Sequence, residues 1–162
     1  MSNSAPLPPL HLESEADTAR LAATFARHMQ AGDVLLLSGG LAAGKTFFVR
    51  SAVAALGSKD AVSSPTYTLA NIYSRSEGPV VHMDAYRLET AADFADLALE
   101  DEFACGIAFI EWGSMLADEF DDFVNLDLAM DPTNANARFA TFSSQGPRGA
   151  ALLAQVLKGF IR

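Results

Sequence analysis

The chain has 162 residues, half of which are hydrophobic, and its 11 basic and 20 acidic side chains give a formal net charge of −9. This length and hydrophobic content suit one globular domain and exclude an intrinsically disordered protein. The three lysines stand apart from other basic residues, whereas a nucleic-acid-binding surface needs clustered Lys and Arg. The longest apolar runs are too short to cross a bilayer, so we expect no membrane association.

The N-terminal sequence and the single cysteine indicate the cellular compartment. No basic residue precedes an apolar run within residues 1–12, so we recognise no signal peptide and expect a cytoplasmic protein. Cys105 has no partner for an internal disulfide, and its apolar neighbours predict a buried thiol. Residues 1–9 contain proline and serine and are expected to form a flexible tail, which leaves 10–162 as the folded domain.

Apolar periodicity and turn residues predict strands that alternate with helices along the chain. In chain order these elements are a helix from Ser14 to Gly32, a strand Val34–Leu37, a helix Lys45–Leu56, strands Thr66–Tyr73 and Val80–Met83, a helix Ala91–Phe103, strands Ile107–Ile110, Phe123–Met130 and Arg138–Phe142, and a helix Ala150–Ile161. Such alternation is typical of an α/β sandwich with a mostly parallel sheet, and the last two strands are expected to add an antiparallel edge.

The segment between the first predicted strand and the second predicted helix carries a phosphate-binding pattern. Its residues match G-x-x-x-x-G-K-[ST]: Gly39, Gly40, Leu41, Ala42, Ala43, Gly44, Lys45 and Thr46. The glycines let backbone N–H groups curl round a phosphate, and the helix N-terminus adds partial positive charge. Lys45 is expected to bridge the β- and γ-phosphates of ATP, and the Thr46 hydroxyl to ligate Mg²⁺. The chain is therefore predicted to be a single-domain P-loop NTPase, with 10–162 as its ATPase domain.

Two carboxylates that end apolar strands are candidates for the metal side of this site. Asp84 ends the run from Val80, and Glu111 ends the run from Ile107. The carboxyl ends of parallel strands open toward the ligand, where a P-loop site needs an acid to hold Mg²⁺ or to orient water. The spacing alone leaves open which carboxylate does which. His82, close to Asp84 in the same strand, is interpreted as a histidine that is simply packed.

Four segments of the chain occur in the order that is seen in one family of P-loop proteins. They are Gly39–Thr46, Ser64–Leu69 (Ser-Pro-Thr-Tyr-Thr-Leu), His82–Leu88 (His-Met-Asp-Ala-Tyr-Arg-Leu) and Ile110–Trp112 (Ile-Glu-Trp). Together they resemble the TsaE family, the ATPase subunit of the bacterial machinery that makes threonylcarbamoyladenosine (t⁶A) in tRNA. The resemblance extends from Ser14 to Arg138. The Ser-Pro-Thr-x-Thr and Asp-x-Tyr-Arg-Leu blocks are specific to the family, whereas the P-loop alone is not.

The resemblance implies a single α/β domain that binds ATP·Mg²⁺ and hydrolyses ATP slowly on its own. It also implies that hydrolysis supports threonylcarbamoyl transfer to adenosine 37 of tRNAs that read ANN codons, together with partner proteins of the TsaB and TsaD type. The tRNA would then be contacted only indirectly, which agrees with the acidic composition.

The resemblance also assigns roles to individual residues. Lys45, Asp84 and Glu111 would form the catalytic set, with Glu111 and Thr46 as Mg²⁺ ligands and Asp84 acting nearby in hydrolysis. Nucleotide contacts outside the matched loop would come from Phe47, Thr18 and Arg138. A switch-like segment over the γ-phosphate and the partner contacts would comprise Ser64, Pro65, Thr66, Thr68, Tyr86, Arg87 and Trp112.

Three positions depart from the family pattern. The family usually has Asp where Gly40 stands, Gly where Ala42 stands and Thr where Phe47 stands. Ala42 is harmless only if its φ stays negative, because a Cβ disfavours the left-handed region. The missing carboxylate and hydroxyl are expected to affect the hydrolysis rate more than nucleotide binding.

Two other functions remain open from the sequence: a small-molecule P-loop kinase, and a nucleotide-gated binding module that does not hydrolyse ATP. Such kinases normally place several arginines over the phosphates from a lid, whereas residues 115–144 contain only Arg138. The three departures in the P-loop favour the non-hydrolysing module.

Overall fold

A mixed sheet of seven strands organises the residues that the computed structural model describes, which are 7–58, 62, 65 and 69–161. The strands are β1 (Leu10–Leu12), β2 (Val34–Ser38), β3 (Ala70–Tyr73), β4 (Val80–Asp84), β5 (Ile107–Glu111), β6 (Phe123–Asp131) and β7 (Asn134–Gln145). The α-helices are α1 (Glu15–His28), α2 (Lys45–Ala55), α3 (Ala91–Asp96), α4 (Glu100–Cys105) and α5 (Gly146–Phe160), and a 3₁₀ helix spans Gly113–Glu119.

The strand order in the sheet is β1-β7-β6-β2-β5-β4-β3, and the four central strands are parallel. The predicted α/β class with a parallel centre is therefore confirmed. The predicted antiparallel edge exists, but it is built differently. β6 pairs with β2 in parallel and so does not belong to this edge. β7 pairs antiparallel with β6, and β1 pairs antiparallel with β7. β3 forms a second antiparallel edge beside β4.

Alternating side chains of β2 show how the sheet is buried on both faces. Leu35 and Leu37 point into a core that α1, α2 and α5 share, and Val34 and Leu36 point into a core on the other face. Fully burying one such side chain stabilises the fold by about 1.5–3 kcal/mol. Packing on both faces therefore holds the end of β2 in place where the next loop begins.

Three local features differ from the sequence-based expectations. The helix predicted over 91–103 is two helices, because Ala98 has φ 52° and separates α3 from α4. The strand predicted from Thr66 begins at Ala70 within the described residues, because Leu69 has φ 66°, which is incompatible with an extended strand. The predicted buried thiol is wrong: Cys105 is exposed, at the end of a helix that has no buried residue.

The helices within the described ranges are each too short or too polar to cross a bilayer.

Candidate nucleotide-binding site

The ends of three parallel strands bring the predicted site residues to one edge of the sheet. Glu111 of β5 is in register with Leu37 of β2 on one side and with Asp84 of β4 on the other. The loop that follows β2 therefore lies beside both carboxylates. A cleft of about 280 Å³ lies here, lined by residues 41–47, the two carboxylates and Trp112.

Two glycines shape the loop between β2 and α2. Gly39 has φ 136° and Gly44 has φ 102°, a region that residues with a Cβ rarely adopt. A Cβ at position 39 would also lie 2.3 Å from the carbonyl oxygen of Leu128 on β6. By contrast, a Cβ at Gly40 would meet no described atom within 4 Å. The absence of the family's Asp at position 40 therefore leaves open space rather than strain.

Ala42 has a left-handed backbone conformation, which is unfavourable for a residue with a Cβ. Its φ is 63°, and holding a residue with a Cβ there costs on the order of 1–3 kcal/mol. The residue is exposed, so burial of its methyl group offers little compensation. This position of the P-loop is therefore strained in this chain.

Lys45 folds back over the loop that precedes it. Its Nζ donates hydrogen bonds of 2.9 Å to the carbonyl oxygens of Gly39 and Gly40, and it lies 4.2 Å from the centre of the Trp112 ring. The residue is 6% exposed, and this burial lowers the pKa of its ammonium group. Three nearby carboxylates partly oppose that shift, those of Glu111, Asp84 and Asp127. An anionic ligand in the cleft would find this cation beside it.

The Thr46 hydroxyl, at the start of α2, faces the carboxylate that ends β5. Thr46 Oγ1 donates to Glu111 and lies 2.9 Å and 3.1 Å from its Oε1 and Oε2 atoms. Glu111 is 4% exposed, and its Oε2 also lies 2.5 Å from His82 Nε2. Hydroxyl and carboxylate oxygens are ligands that Mg²⁺ accepts, and two of them meet here at the end of the phosphate loop.

Asp84 and two aromatic residues connect the cleft to the protein surface. Asp84 is 6% exposed, and its Oδ1 accepts the backbone N–H of Tyr86 at 2.9 Å. The rings of Tyr86 and Trp112 contact each other at a centroid distance of 5.2 Å. Trp112 lines the cleft, whereas Tyr86 is 65% exposed. An exposed aromatic surface therefore begins at the rim of the site.

Four of the predicted nucleotide contacts lie outside the lining of the cleft: Gly39 and Gly40 at the start of the loop, and Arg138 and Thr18. Arg138 donates from Nε to the carbonyl oxygen of Ala43 at 2.8 Å, so in this conformation it supports the backbone of the loop. Thr18 is 3% exposed, and its hydroxyl donates to the carbonyl oxygen of Ser14 at 3.5 Å. Their contacts with a nucleotide stay predictions.

The predicted switch-like segment is described only in part. Ser64, Thr66 and Thr68 lie outside the described residues. The carbonyl oxygen of Pro65 accepts the N–H of Leu69 at 2.8 Å, and the N–H of Asp84 in turn donates to the carbonyl of Leu69 at 2.9 Å. These two hydrogen bonds connect the end of the segment to the backbone of Asp84, whose side chain lines the cleft. Arg87, predicted as a partner contact, is exposed.

Sequence reasoning missed two residues of the site. His82 is fully buried, as its interpretation as a packed residue implied, but it also contacts the Glu111 carboxylate. Asp127 on β6 is in register with Ser38 and contributes to the electrostatic field at Lys45. No clear signal in the sequence pointed to Asp127, because it lies in the middle of β6, a strand that was expected to belong to an antiparallel edge.

Comparison with known proteins points to one family. Residues 12–139 match the family described as "Threonylcarbamoyl adenosine biosynthesis protein TsaE". A relative with the name "tRNA threonylcarbamoyladenosine biosynthesis protein TsaE" from Treponema pallidum is 40% identical over 111 residues, which cover 68% of this chain and 82% of the relative. A relative of the same name from Streptomyces coelicolor is 36% identical over 141 residues, which cover 83% and 95%. The crystal structure of YdiB from Bacillus subtilis has the same fold, with a TM-score of 0.77 at 23% identity, over 97% of this chain and 99% of that chain.

Replacing Ala42 by glycine is expected to stabilise the protein by about 1 kcal/mol, because glycine adopts the left-handed conformation without strain. Urea denaturation measures the free energy of unfolding. Ala43→Gly is the matched control, since Ala43 is 2% exposed and has no positive φ. This control is expected to lose about 1–2 kcal/mol, because it gives the unfolded chain more freedom and also removes a buried methyl group. A loss in Ala42→Gly as large as that in the control would contradict strain at position 42.

Proposed function

The chain belongs to the TsaE family of t⁶A biosynthesis proteins, and on that premise we propose that it is the ATP-hydrolysing subunit of that machinery. In this proposal the cleft binds ATP with Mg²⁺. Hydrolysis supports threonylcarbamoyl transfer to adenosine 37 of tRNAs that read ANN codons. The protein works in the cytoplasm with partners of the TsaB and TsaD type.

The observation that carries the proposal is the meeting of three different groups at the mouth of the P-loop. Lys45 offers a cation, Thr46 a hydroxyl and Glu111 a carboxylate, and all three line one cleft. A phosphate chain needs the cation, and a hard metal ion needs the two oxygen ligands. The glycine-shaped loop and the N-terminus of α2 add backbone N–H donors.

The donor set of Thr46 and Glu111 suits Mg²⁺. This ion usually keeps several waters and takes one or two carboxylates together with substrate phosphates. When bound, Mg²⁺ would neutralise charge on the β- and γ-phosphates. The two side chains already lie within hydrogen-bond distance of each other, so little movement separates the present contact from shared coordination.

Lys45 must exchange its partners when a nucleotide binds. Its ammonium now donates to the carbonyl oxygens of Gly39 and Gly40. Phosphate oxygens carry more negative charge than carbonyl oxygens and form stronger charge-assisted hydrogen bonds. The lysine would therefore turn from the loop backbone to the β- and γ-phosphates.

Asp84 is the residue that we assign to orienting the attacking water. It ends the strand beside Glu111, and its Oδ1 is fixed by the N–H of Tyr86. A carboxylate held in this way at the edge of the cleft can accept a proton or a hydrogen bond from water. Glu111 then serves the metal, since its carboxylate and not that of Asp84 bonds the Thr46 hydroxyl.

The surface around the cleft favours a protein partner over direct contact with tRNA. The net charge of −9 opposes binding to a polyanion. Leu41 is 83% exposed on the P-loop, and Tyr86 is 65% exposed against Trp112. Exposed aromatic residues are typical anchors of interfaces. A partner seated there would also exclude water from the cleft.

A binding module that does not hydrolyse ATP is the second candidate function. The strained Ala42 and the open space at Gly40 favour it, because both lie in the loop that must hold the phosphates. Phosphate release in the presence of the partners separates the two functions.

Lys45→Ala is expected to weaken ATP binding by about 10- to 150-fold, because one charge-assisted hydrogen bond is worth about 1.5–3 kcal/mol. Titration calorimetry measures the dissociation constant, and a thermal melt checks that the variant is folded. Lys158→Ala is the matched control, because Lys158 is an exposed lysine on α5. Equal affinities of Lys45→Ala and the control would remove the nucleotide site from this cleft.

Adding TsaB- and TsaD-type proteins is expected to accelerate phosphate release from ATP. Tyr86→Ala is expected to raise the partner concentration for half-maximal stimulation by about fivefold or more, since an interface anchor contributes about 1–2 kcal/mol or more. Ile161→Ala is the matched control, with a side chain 66% exposed at the end of α5. ATP binding without any phosphate release in the complete mixture would favour the non-hydrolysing module instead.

A further inference from the structure

A buried row of three polar side chains leads from the edge strand β3 to the cleft. Tyr73 on β3, His82 on β4 and Glu111 on β5 are 4%, 0% and 4% exposed. The Tyr73 hydroxyl lies 3.3 Å from His82 Nδ1, and His82 Nε2 lies 2.5 Å from Glu111 Oε2. We call this row the Tyr73–His82–Glu111 chain.

The strand registers explain why the three side chains meet. Tyr73 is paired with Val80 and Glu111 is paired with Asp84. His82 lies midway between Val80 and Asp84 on β4, so all three side chains of the Tyr73–His82–Glu111 chain project from the same face of the sheet. Diagonal neighbours on adjacent strands are about 7–8 Å apart between backbones, which long side chains can span.

The proton arrangement within the chain follows from the acceptor at its end. An ionised carboxylate only accepts hydrogen bonds, so His82 Nε2 carries the hydrogen and donates to Glu111. In the neutral imidazole, Nδ1 is then an acceptor for the Tyr73 hydroxyl. Tyr73 therefore stabilises the tautomer of His82 that holds Glu111.

The complete burial of His82 makes the hydrogen bonds of its ring important for stability, and one of these bonds also holds Glu111. A polar group without a partner in the protein interior is costly, and both ring nitrogens of His82 have partners although its side chain is fully enclosed. An apolar residue could fill the same space without these bonds. It would leave Oε2 of Glu111 without its donor from β4.

We propose that His82 is a positioning residue, which, supported by Tyr73, holds Glu111 Oε2 so that Oε1 faces Thr46 and the Mg²⁺ that accompanies ATP. This inference rests on the proposed function. Thr46 Oγ1 lies nearer to Oε1 than to Oε2, at 2.9 Å and 3.1 Å. With Oε2 occupied by His82, Oε1 is the oxygen that is left to bind the metal. Residues that orient a metal ligand commonly change metal affinity by about 10- to 100-fold when they are replaced.

Three variants of the full chain test the proposal. His82→Leu introduces an apolar side chain of comparable size and removes both hydrogen bonds. His82→Gln keeps an N–H donor for Glu111. Tyr73→Phe removes only the hydroxyl that contacts His82. Titration calorimetry gives the dissociation constant of ATP with Mg²⁺ and with EDTA. The ratio of the two constants measures how much the metal adds to binding, without reference to catalytic activity.

The ratio is expected to fall by about tenfold or more in His82→Leu, to stay near that of the wild type in His82→Gln, and to fall by a smaller factor in Tyr73→Phe. ATP affinity in EDTA is expected to change little in all three, because the loop and Lys45 are intact. A wild-type ratio in His82→Leu, or an equal fall in His82→Gln and His82→Leu, would overturn the positioning role.

Three further outcomes are distinguishable from these. If His82→Leu does not fold, as judged by circular dichroism, Tyr73→Phe decides, and an unchanged ratio in that variant overturns the proposal. If the wild type binds no ATP under either condition, the proposed function itself fails. If the wild type binds ATP equally well with Mg²⁺ and with EDTA, the metal site fails, and the positioning role of His82 fails with it.

Discussion

Two carboxylates and one ammonium group are almost buried at one edge of the sheet, and each depends on the others for its stability there. Lys45, Asp84 and Glu111 are only 6%, 6% and 4% exposed, and an isolated charge in such a position is costly. Burial lowers the pKa of Lys45, and the carboxylates oppose that effect. Hydrogen bonds to loop carbonyls, to Thr46 and to His82 supply further compensation.

This cluster also determines which ligand the cleft can accept. The phosphates of a nucleotide would be attracted to Lys45 but repelled by Glu111 and Asp84, because like charges at close range in a poorly solvated site are strongly unfavourable. A divalent cation that entered with the phosphates would remove this conflict, and the proposed metal ligands Thr46 and Glu111 lie beside each other. The charges that line the cleft therefore agree with the proposal that the nucleotide binds together with a metal ion.

Much of this site could be predicted from the sequence, because its main signals are local. The P-loop is a run of consecutive residues, and Asp84 and Glu111 each end an apolar run. The role of His82 could not be predicted, since its contact with Glu111 joins residues 29 positions apart and depends on the pairing of β4 with β5. The positive φ of Ala98 has no local signal either, because alanine normally avoids this conformation, whereas that of Ala42 was indicated only by the glycine that the family has there. For the fold, the parallel centre followed from the alternation of elements, whereas β1 is too short to stand out as a pattern.

The central claim is that the groups now bonded to one another at the P-loop exchange these partners for ATP and Mg²⁺. A crystal structure with Mg²⁺ and a non-hydrolysable ATP analogue tests it most directly. We predict that Lys45 Nζ leaves the carbonyls of Gly39 and Gly40 for the β- and γ-phosphates, and that Thr46 Oγ1 turns from Glu111 to the metal. An analogue bound elsewhere on the protein, or bound in the cleft with Lys45 still on the loop carbonyls, would contradict the claim.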